Sequence, residues 1–484
     1  MIEQSEILRR RDMRDVFTFT IDPADAKDFD DALSFEIIES EESQQPTANS
    51  QQPTANSQQP IYQIGVHIAD VSFYVRPGTE IDEQAYKRGT SVYLVDKVLP
   101  MLPEELCNDK CSLRPDEDKL CMSVIFTMDA DARVLKYKIC RTVIRSNARL
   151  NYDEAQDIIR AKHANDTLTT RNRIETMSGA SPDLNLAITT LNSLAAKLRA
   201  ERIANGALTI EQDEMRFRLD KNGHPTEIYF EHPNESHHLI EEFMLLANRT
   251  VAKAVGSGRP FVYRVHDIPD SEKLENVKTF KKRLTANSQQ LTADSIQRAI
   301  DLLTIRAQAK AVYSTYNIGH YGLAFSHYTH FTSPIRRYPD LMVHRLVEKY
   351  ILTGKKETMT RQELEEKCEH CSACEQEAAQ AERDSIKQFQ TMWIADHLGE
   401  ILPGHITGVT EFGLFVQLDE SRCEGLVHIS NIGEQGEYWQ YDEKNFRLVC
   451  ENAKHHASYT LGDALTVKVV RADVNRAQID FEIA

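Results

Sequence analysis

The sequence predicts an α+β body joined to a small all-β barrel, and three observations lead to that reading. β-rich alternation from Val16 to Ile21 and from Tyr62 to Ile68 marks half-buried strands. Stretches with apolar residues at helical spacing dominate between Leu184 and Leu398. After Gly399 the pattern changes to short strands separated by glycines, as in a small barrel.

The elements follow in order. Between the first two strands, Ser43-Gln44-Gln45-Pro46-Thr47-Ala48-Asn49 recurs as Ser50 to Asn56 and begins again at Ser57. It has no large apolar residue to bury, so residues 43–60 read as a disordered hairpin insertion without function. An echo at Thr285 to Gln290 reads as a linker. From Leu184 to Ala204, apolar residues at 184, 188, 191, 194, 195 and 198 share one helical face, and the helix stops near Gly206. Further helices are expected at Leu239 to Val255, Ile296 to Tyr313 and Leu341 to Ile351, and one long helix from Arg361 to Leu398, uninterrupted by Pro or Gly. The expected domains are a leader at 1–14, a body at 15–399 and a barrel at 400–484.

Composition sets bounds. The chain has 484 residues, 41% hydrophobic and 27% charged, the profile of a soluble globular protein with a sizeable core. No long apolar run suggests a membrane span, and the polar start with Arg9, Arg10 and Arg11 is not an export signal. Nine cysteines without scaffold spacing read as reduced thiols of a cytoplasmic protein. The net charge of −17 opposes general attraction to nucleic acid but leaves a local binding channel open.

The densest chemical signal is Asp22-Pro23-Ala24-Asp25-Ala26-Lys27-Asp28-Phe29-Asp30-Asp31, with five carboxylates between two apolar strands. Packed carboxylates repel unless a cation neutralises them, and hard oxygen ligands without interleaved Cys or His select Mg²⁺ or Mn²⁺. An acidic turn or a calcium loop are the other readings. The calcium loop needs Gly at its sixth position and Glu at its twelfth, which this segment lacks. A second segment, Phe331-Thr332-Ser333-Pro334-Ile335-Arg336-Arg337-Tyr338-Pro339-Asp340, sets two arginines between prolines, where a planar guanidinium suits a phosphate; an ordinary salt-bridged loop is the alternative. Cys368, Cys371 and Cys374 have knuckle-like spacing, but at i, i+3 and i+6 of the expected long helix they read as helix-face thiols.

These residues resemble the ribonuclease II/ribonuclease R family, the RNB domain, with ribonuclease R the nearer namesake. The acidic loop, read as Asp22, Asp28, Asp30 and Asp31, resembles the family's catalytic loop. The likeness continues through Gly65-Val66-His67-Ile68-Ala69-Asp70, Pro100 to Glu104, Leu239 to Asn248, Tyr263 to Asp267 and Phe331 to Arg337. The C-terminal segment is similar to the OB-fold RNA-binding domain named after a ribosomal small-subunit protein, through Gly404-His405-Ile406, Phe412-Gly413-Leu414-Phe415-Val416 and Glu424 to Ser430.

The resemblance implies helices and strands around a central channel. It implies processive hydrolysis of single-stranded RNA from the 3′ end to nucleoside 5′-monophosphates, by a cytoplasmic monomer with no membrane partner. Two Mg²⁺ ions, or Mn²⁺, would be held by Asp22, Asp28, Asp30 and Asp31. Arg336 matches the arginine near the scissile phosphate, and Tyr93 the tyrosine stacked on the terminal base. Glu241 matches an acid bracing the 3′-end pocket, with Glu242 a rival for that place. Arg337, Phe412, Phe415 and His428 are expected to meet RNA. Two departures follow: the usual N-terminal cold-shock-type domains are not matched, and Ile210 stands where a stacking phenylalanine is expected. The resemblance leaves open that the chain is a fragment of a longer protein.

Two other functions compete. A catalytically weak or inactive RNA-binding protein would keep the fold without turnover. A metal phosphoesterase acting on small nucleotides would have no use for a polymer-binding barrel.

Overall fold

The computed structural model describes the chain outside residues 1, 39–59, 164–181, 210–212, most of 271–302, 355–358, 434–435, 451 and 453–457. The repeat from 43, its echo at 285–290 and Ile210 lie outside the described residues.

A seven-stranded sheet carries the N-terminal part. Its strands are β1 (Arg11–Asp12), β2 (Thr18–Asp22), β3 (Asp31–Ile38), β4 (Ile61–Ala69), β5 (Asp118–Met128), β6 (Val134–Arg145) and β7 (Ala148–Asn151). They lie in the order β1-β6-β5-β4-β3-β2-β7, antiparallel except for the parallel edge pairs β1–β6 and β2–β7. β5 has no clean alternation because nearly all of it is buried on both faces, so it escapes a period-two search. The motif Gly65-Val66-His67 also finds its reason here. Neutral His67, pushed down to about 3 by burial, hydrogen-bonds Ser123 (2.8 Å) and Ser34 (2.9 Å) across three strands. A Cβ on Gly65 would stand 2.3 Å from the imidazole Nε2 and 2.4 Å from the Ser34 hydroxyl.

The longer helices are α1 (Tyr152–His163), α2 (Pro182–Ala204), α3 (Glu235–Gly256), α4 (Tyr338–Val347) and α5 (Arg361–Ala395), of which α1 and α3 pack on the sheet. The stripe expected on α2 is real. Leu184, Ile188, Leu191, Leu194, Ala195 and Leu198 are all buried in the main core. α3 starts at a capping box in which the Asn234 side chain accepts from the backbone of Ser236 and His237. α5 starts at another, between Thr360 and Glu363.

Two expectations are corrected. Residues 303–307 are helical, but Val312–Ser314 is a strand paired antiparallel with Tyr263–Val265, so the helix does not run to Tyr313. The pairing partner lies far off in sequence, and no local period reveals it. The first 14 residues are also more than a leader. β1 belongs to the sheet, and the fully buried Arg10 side chain forms an ion pair of 2.8 Å with buried Asp70. Arg141 stands 3.3 Å from the same carboxylate, so two arginines share this buried charge.

The C-terminal barrel is closed. It consists of β8 (Ile401–Thr410), β9 (Gly413–Leu418), β10 (Glu424–His428), β11 (Ala464–Asp473) and β12 (Gln478–Ile483), in the order β8-β9-β10-β12-β11. Gly413 has φ 143°, and a Cβ there would stand 2.1 Å from the Val427 carbonyl oxygen, so only glycine lets β9 start this close to β10. Ile394, near the end of α5, is buried in the barrel's core with Ile406, Leu414, Val416, Val427 and Phe481. α5 therefore reaches from the main core, through Cys368 and Cys371, into the barrel.

Candidate active site

The acidic loop leaves the sheet at Asp22, the last residue of β2, and returns at Asp31, the first of β3. Two side chains, Arg149 and Ser112, fold it. The Arg149 guanidinium donates to the carbonyls of Ala24 (2.9 Å) and Pro23 (3.2 Å) and lies 4.9 Å from the centroid of the Phe29 ring. The Phe29 N–H donates to Ser112 Oγ at 3.0 Å, and that hydroxyl donates to the Lys27 carbonyl at 2.8 Å. Phe29 is buried, which fixes the directions of Asp28 and Asp30 on either side of it.

Arg336 is brought to this loop across the chain. The Ile335 N–H donates to Asp30 Oδ1 at 2.9 Å, and Arg336 Nε lies 3.9 Å from Asp30 Oδ2. The Arg336 carbonyl accepts from the Ser91 N–H (2.9 Å) and the Thr90 hydroxyl (3.0 Å), which ties in the segment leading to Tyr93. Tyr93 is 40% exposed, and its N–H donates to Glu382 Oε1 on α5 at 2.9 Å. Burial of its phenol raises the Tyr93 pKa above the ordinary range, and Arg336, Asp28 and Asp30 are the charges that act on it. Thus Asp28, Asp30, Arg336 and Tyr93, spread over more than three hundred positions, share one site.

The carboxylates carry more negative charge than their surroundings repay. Burial pushes Asp22 up to about 7, with Asp30 adding to the shift, and pushes Asp31 up to about 8, with Asp22 adding. Asp28 and Asp30 are raised by burial too, against the pull of Arg336. Asp22 Oδ2 is buried with no hydrogen-bond partner. Buried oxygens in this state suit a hard divalent cation, which would neutralise them. No three potential ligands among the described residues form a ready-made cage. An ion held by Asp22, Asp28, Asp30 and Asp31 would complete its shell with water or substrate oxygens, as Mg²⁺ commonly does.

This charge has a consequence for stability. Carboxyls raised to about 7 and about 8 keep protons that the unfolded chain releases near 3.8, the ordinary aspartate value. Their contribution is therefore fully present below that value and is lost as pH rises through 7 and 8. Mg²⁺ should replace the lost protons. The rise in Tm on adding Mg²⁺ to chelator-treated protein is expected to be larger at about pH 8 than at about pH 6. A metal-induced shift that is equal at both pH values, or absent, refutes the assignment.

The remaining expected residues fall in several places. Arg337, expected at the RNA, turns instead to Asp340, with Nε–Oδ2 2.9 Å and a second nitrogen to Oδ1 at 2.8 Å; that pair is buried and stiffens the loop. Glu241 is exposed, 3.4 Å from Arg202, whereas Glu242 is buried and takes the same arginine at 2.5 Å. Phe412 is 60% exposed at the β8–β9 turn. His428 is exposed at the same end of the barrel, since the Ile429 N–H donates to the Phe412 carbonyl at 2.8 Å. Phe415 is half-buried on the face opposite the core residues Leu414 and Val416. Cys368 and Cys371 are buried in the core, and Cys374 rests near His370.

Sequence reasoning missed the supports. Asn248 Oδ1 accepts from the Phe331 N–H (2.9 Å), His344 Nε2 donates to the Phe331 carbonyl (2.8 Å), and Asp340 Oδ1 accepts from the Ser333 N–H (2.8 Å). Asn248 and Asp340 end two segments that stand out in the sequence, but nothing local says what they hold.

The RNB domain model matches residues 10–353, and the S1 RNA binding domain model matches residues 396–484. The chain belongs to the RNB family. Among curated proteins this RNB chain is 38% identical to ribonuclease R of Thermotoga maritima and 38% identical to ribonuclease R of Aquifex aeolicus. The alignments cover 99% and 100% of the chain but 66% of either relative, so the chain spans just under two thirds of their length. Among solved structures it is similar to Mycoplasma genitalium RNase R in complex with ribose-methylated single-stranded RNA, at a TM-score of 0.85 and 26% identity. That likeness covers 100% of this chain and 73% of the other. The fold also recurs in yeast Ssd1, a pseudonuclease, at a TM-score of 0.68 and 20% identity over 93% of this chain and 54% of that one. No helix among the described residues is long and apolar enough to cross a membrane.

Proposed function

We propose that this chain is a metal-dependent 3′→5′ exoribonuclease that degrades single-stranded RNA hydrolytically and processively to nucleoside 5′-monophosphates. The observation that carries the reading is the hydrogen bond from Ile335 N–H to Asp30, which sets Arg336 beside the buried carboxylates. Asp22, Asp28, Asp30 and Asp31 would hold Mg²⁺, two ions or Mn²⁺ in its place. When bound, the metal lowers the pKa of water and neutralises charge on the scissile phosphate. The protein's own part is positional. Arg336, with its side chain 40% exposed, offers a planar fork to a phosphate whose charge grows in the transition state. Tyr93 offers a ring face for the terminal base, on a segment held by α5 and by the Arg336 carbonyl. Glu241 stands further along α3, where it would line the 3′-end pocket. Arg337 serves by fixing the loop rather than by touching RNA.

The deciding experiment incubates the protein with single-stranded RNA labelled at its internal phosphates and Mg²⁺ and follows the products. Nucleoside 5′-monophosphates should accumulate from the first turnovers, and chelator should stop them. Binding of RNA without any monophosphate would instead identify a non-catalytic RNA-binding protein.

The barrel is proposed to anchor RNA upstream of the site, through Phe412, His428 and the outer face of Phe415. Stacking contributes about 1–3 kcal/mol per base. Phe412→Ala should raise KM for long RNA about tenfold and leave KM for an oligonucleotide too short to reach the barrel unchanged. An equal rise for both substrates would place Phe412 in folding rather than in binding. Point substitution is the better probe than removal of the barrel, because Ile394 of α5 is buried in its core.

A further inference from the structure

Beside the loop that carries Arg336 stands a histidine to which none of the chemistry above gives a role. His330 directly precedes Phe331, and its Nδ1 lies 2.8 Å from the Tyr313 hydroxyl oxygen. The edges of Tyr313 and Tyr328 pack on the imidazole, with ring centroids 5.5 and 5.6 Å away at 74° and 85°. Tyr313 is itself immobilised. It is buried, its N–H donates to Ser372 Oγ of α5 at 2.9 Å, and the Arg264 guanidinium covers its ring at 4.6 Å. The orientation of the His330 ring is therefore set from several sides.

The network also sets where the ring's proton lies. A buried phenol keeps its single proton, and the only hydrogen-bond partner of the Tyr313 hydroxyl among the described residues is His330 Nδ1. With that proton given to Nδ1, the one arrangement that satisfies both groups, Nδ1 is the acceptor and the imidazole hydrogen sits on Nε2. Nε2 has no hydrogen-bond partner among the described residues, and His330 as a residue is half-buried. Burial favours the neutral form of this imidazole, and the charges of Arg337, Arg264 and Arg336 act in the same direction. Two of them are neutralised, Arg337 by Asp340 and Arg264 by Glu375 at 2.6 Å. Among the described residues, the carboxylate paired with Arg336 is Asp30, at 3.9 Å, and its other contact is a neutral hydrogen bond to the Ser333 hydroxyl at 3.2 Å.

An N–H donor with no acceptor among the described residues, within the electrostatic reach of Arg336, is an arrangement for an anionic acceptor. We propose that His330 is a substrate-contacting residue, donating from Nε2 to a non-bridging phosphate oxygen of the RNA strand next to Arg336. Tyr313 is the positioning residue that selects its tautomer. The identity of the ligand rests on the exoribonuclease reading; the donor geometry does not.

The test measures Kd for labelled single-stranded RNA by fluorescence anisotropy, with Asp30→Asn protein as the parent so that the strand survives. Adding His330→Ala should weaken binding about tenfold, the scale of a lost hydrogen bond to a charged group. The slope of log Kd against log salt should stay the same, because a neutral donor displaces no counterion. His330→Asn, which keeps an N–H donor, should recover part of the loss, and Tyr313→Phe should lose part of it. RNA with methylphosphonates at its 3′-terminal linkages should bind the parent more weakly, and His330→Ala should then add nothing. An unchanged Kd overturns the proposal. So does a loss that persists in full on the neutral linkages, or a salt slope that falls by about one, which would mark a cation. Hydrolysis by the protein with Asp30 intact is followed separately. If it releases no monophosphates while His330→Ala still weakens binding, the exoribonuclease reading falls and the phosphate contact stands. If the parent binds no RNA, both fall.

Discussion

Asp30→Asn is expected to leave a protein that binds RNA and scarcely cuts it. Asp30 is nine-tenths hidden from solvent, accepts the Ile335 N–H through Oδ1 and faces Arg336 through Oδ2. Asparagine keeps a carbonyl for the Ile335 N–H, so the loop that carries Arg336 should stay in place. What disappears is a negative charge on which the proposed metal site depends. Loss of one such group costs on the order of 3 kcal/mol or more in the transition state, a fall in kcat of a hundredfold or greater. RNA affinity should change little, since phosphate and base contacts lie elsewhere. The substitution should also raise Tm in the absence of metal, because it removes one of several mutually repelling buried carboxylates. Turnover at the parent rate would refute the metal assignment. A fall in kcat accompanied by a lower Tm would mean that the carboxylate serves the fold.

Arg336→Ala should have the second largest effect, and it should fall on the chemical step. The backbone of this residue is held independently of its side chain, by Ser91 N–H and the Thr90 hydroxyl on its carbonyl. Truncation should therefore remove the guanidinium without moving the loop. A group that acts where charge develops costs about 3 kcal/mol when lost, roughly a hundredfold in single-turnover rate. KM should rise only a few-fold. Arg336→Lys should rescue little, since an ammonium cannot present two parallel donors to a phosphate. A loss seen in binding alone, with the single-turnover rate intact, would make Arg336 a binding residue. Arg337→Ala makes an informative contrast. It should lower Tm, because it leaves buried Asp340 unpaired, and should affect turnover only through that disorder.

The readable part of the site was the part that is dense in one dimension. Asp22, Asp28, Asp30 and Asp31 announce themselves because carboxylates rarely crowd between two apolar strands without a purpose. Arg336 stands out because prolines bracket it. The adjacent Arg337 has the same local context, so the sequence could not tell the two apart. Only the fold shows that one guanidinium reaches the carboxylates and the other is spent on Asp340. Tyr93, Glu241 and Glu242 carried no signal of their own and entered through resemblance. His330 and Tyr313 were invisible, because their hydrogen bond joins residues that fall in different local elements.

By itself, the sequence determined the elements whose cause is local. The stripe on α2 dictates a helix because its apolar residues can be buried together only at that period. The glycines after 399 dictate tight strand approaches, as Gly413 shows. The acidic loop dictates a demand for positive charge. Tertiary structure decided what depends on distant partners: that β5 and β6 join a seven-stranded sheet, that Val312–Ser314 pairs as a strand, and that Arg10 enters the core to meet Asp70. It also decided how the demand for charge is met, by delivering Arg336 across 305 residues through one backbone hydrogen bond to Asp30. Local periodicity records which face of an element is apolar. It does not record what that face meets, because burial energy depends on apolar area and scarcely on the identity of the partner.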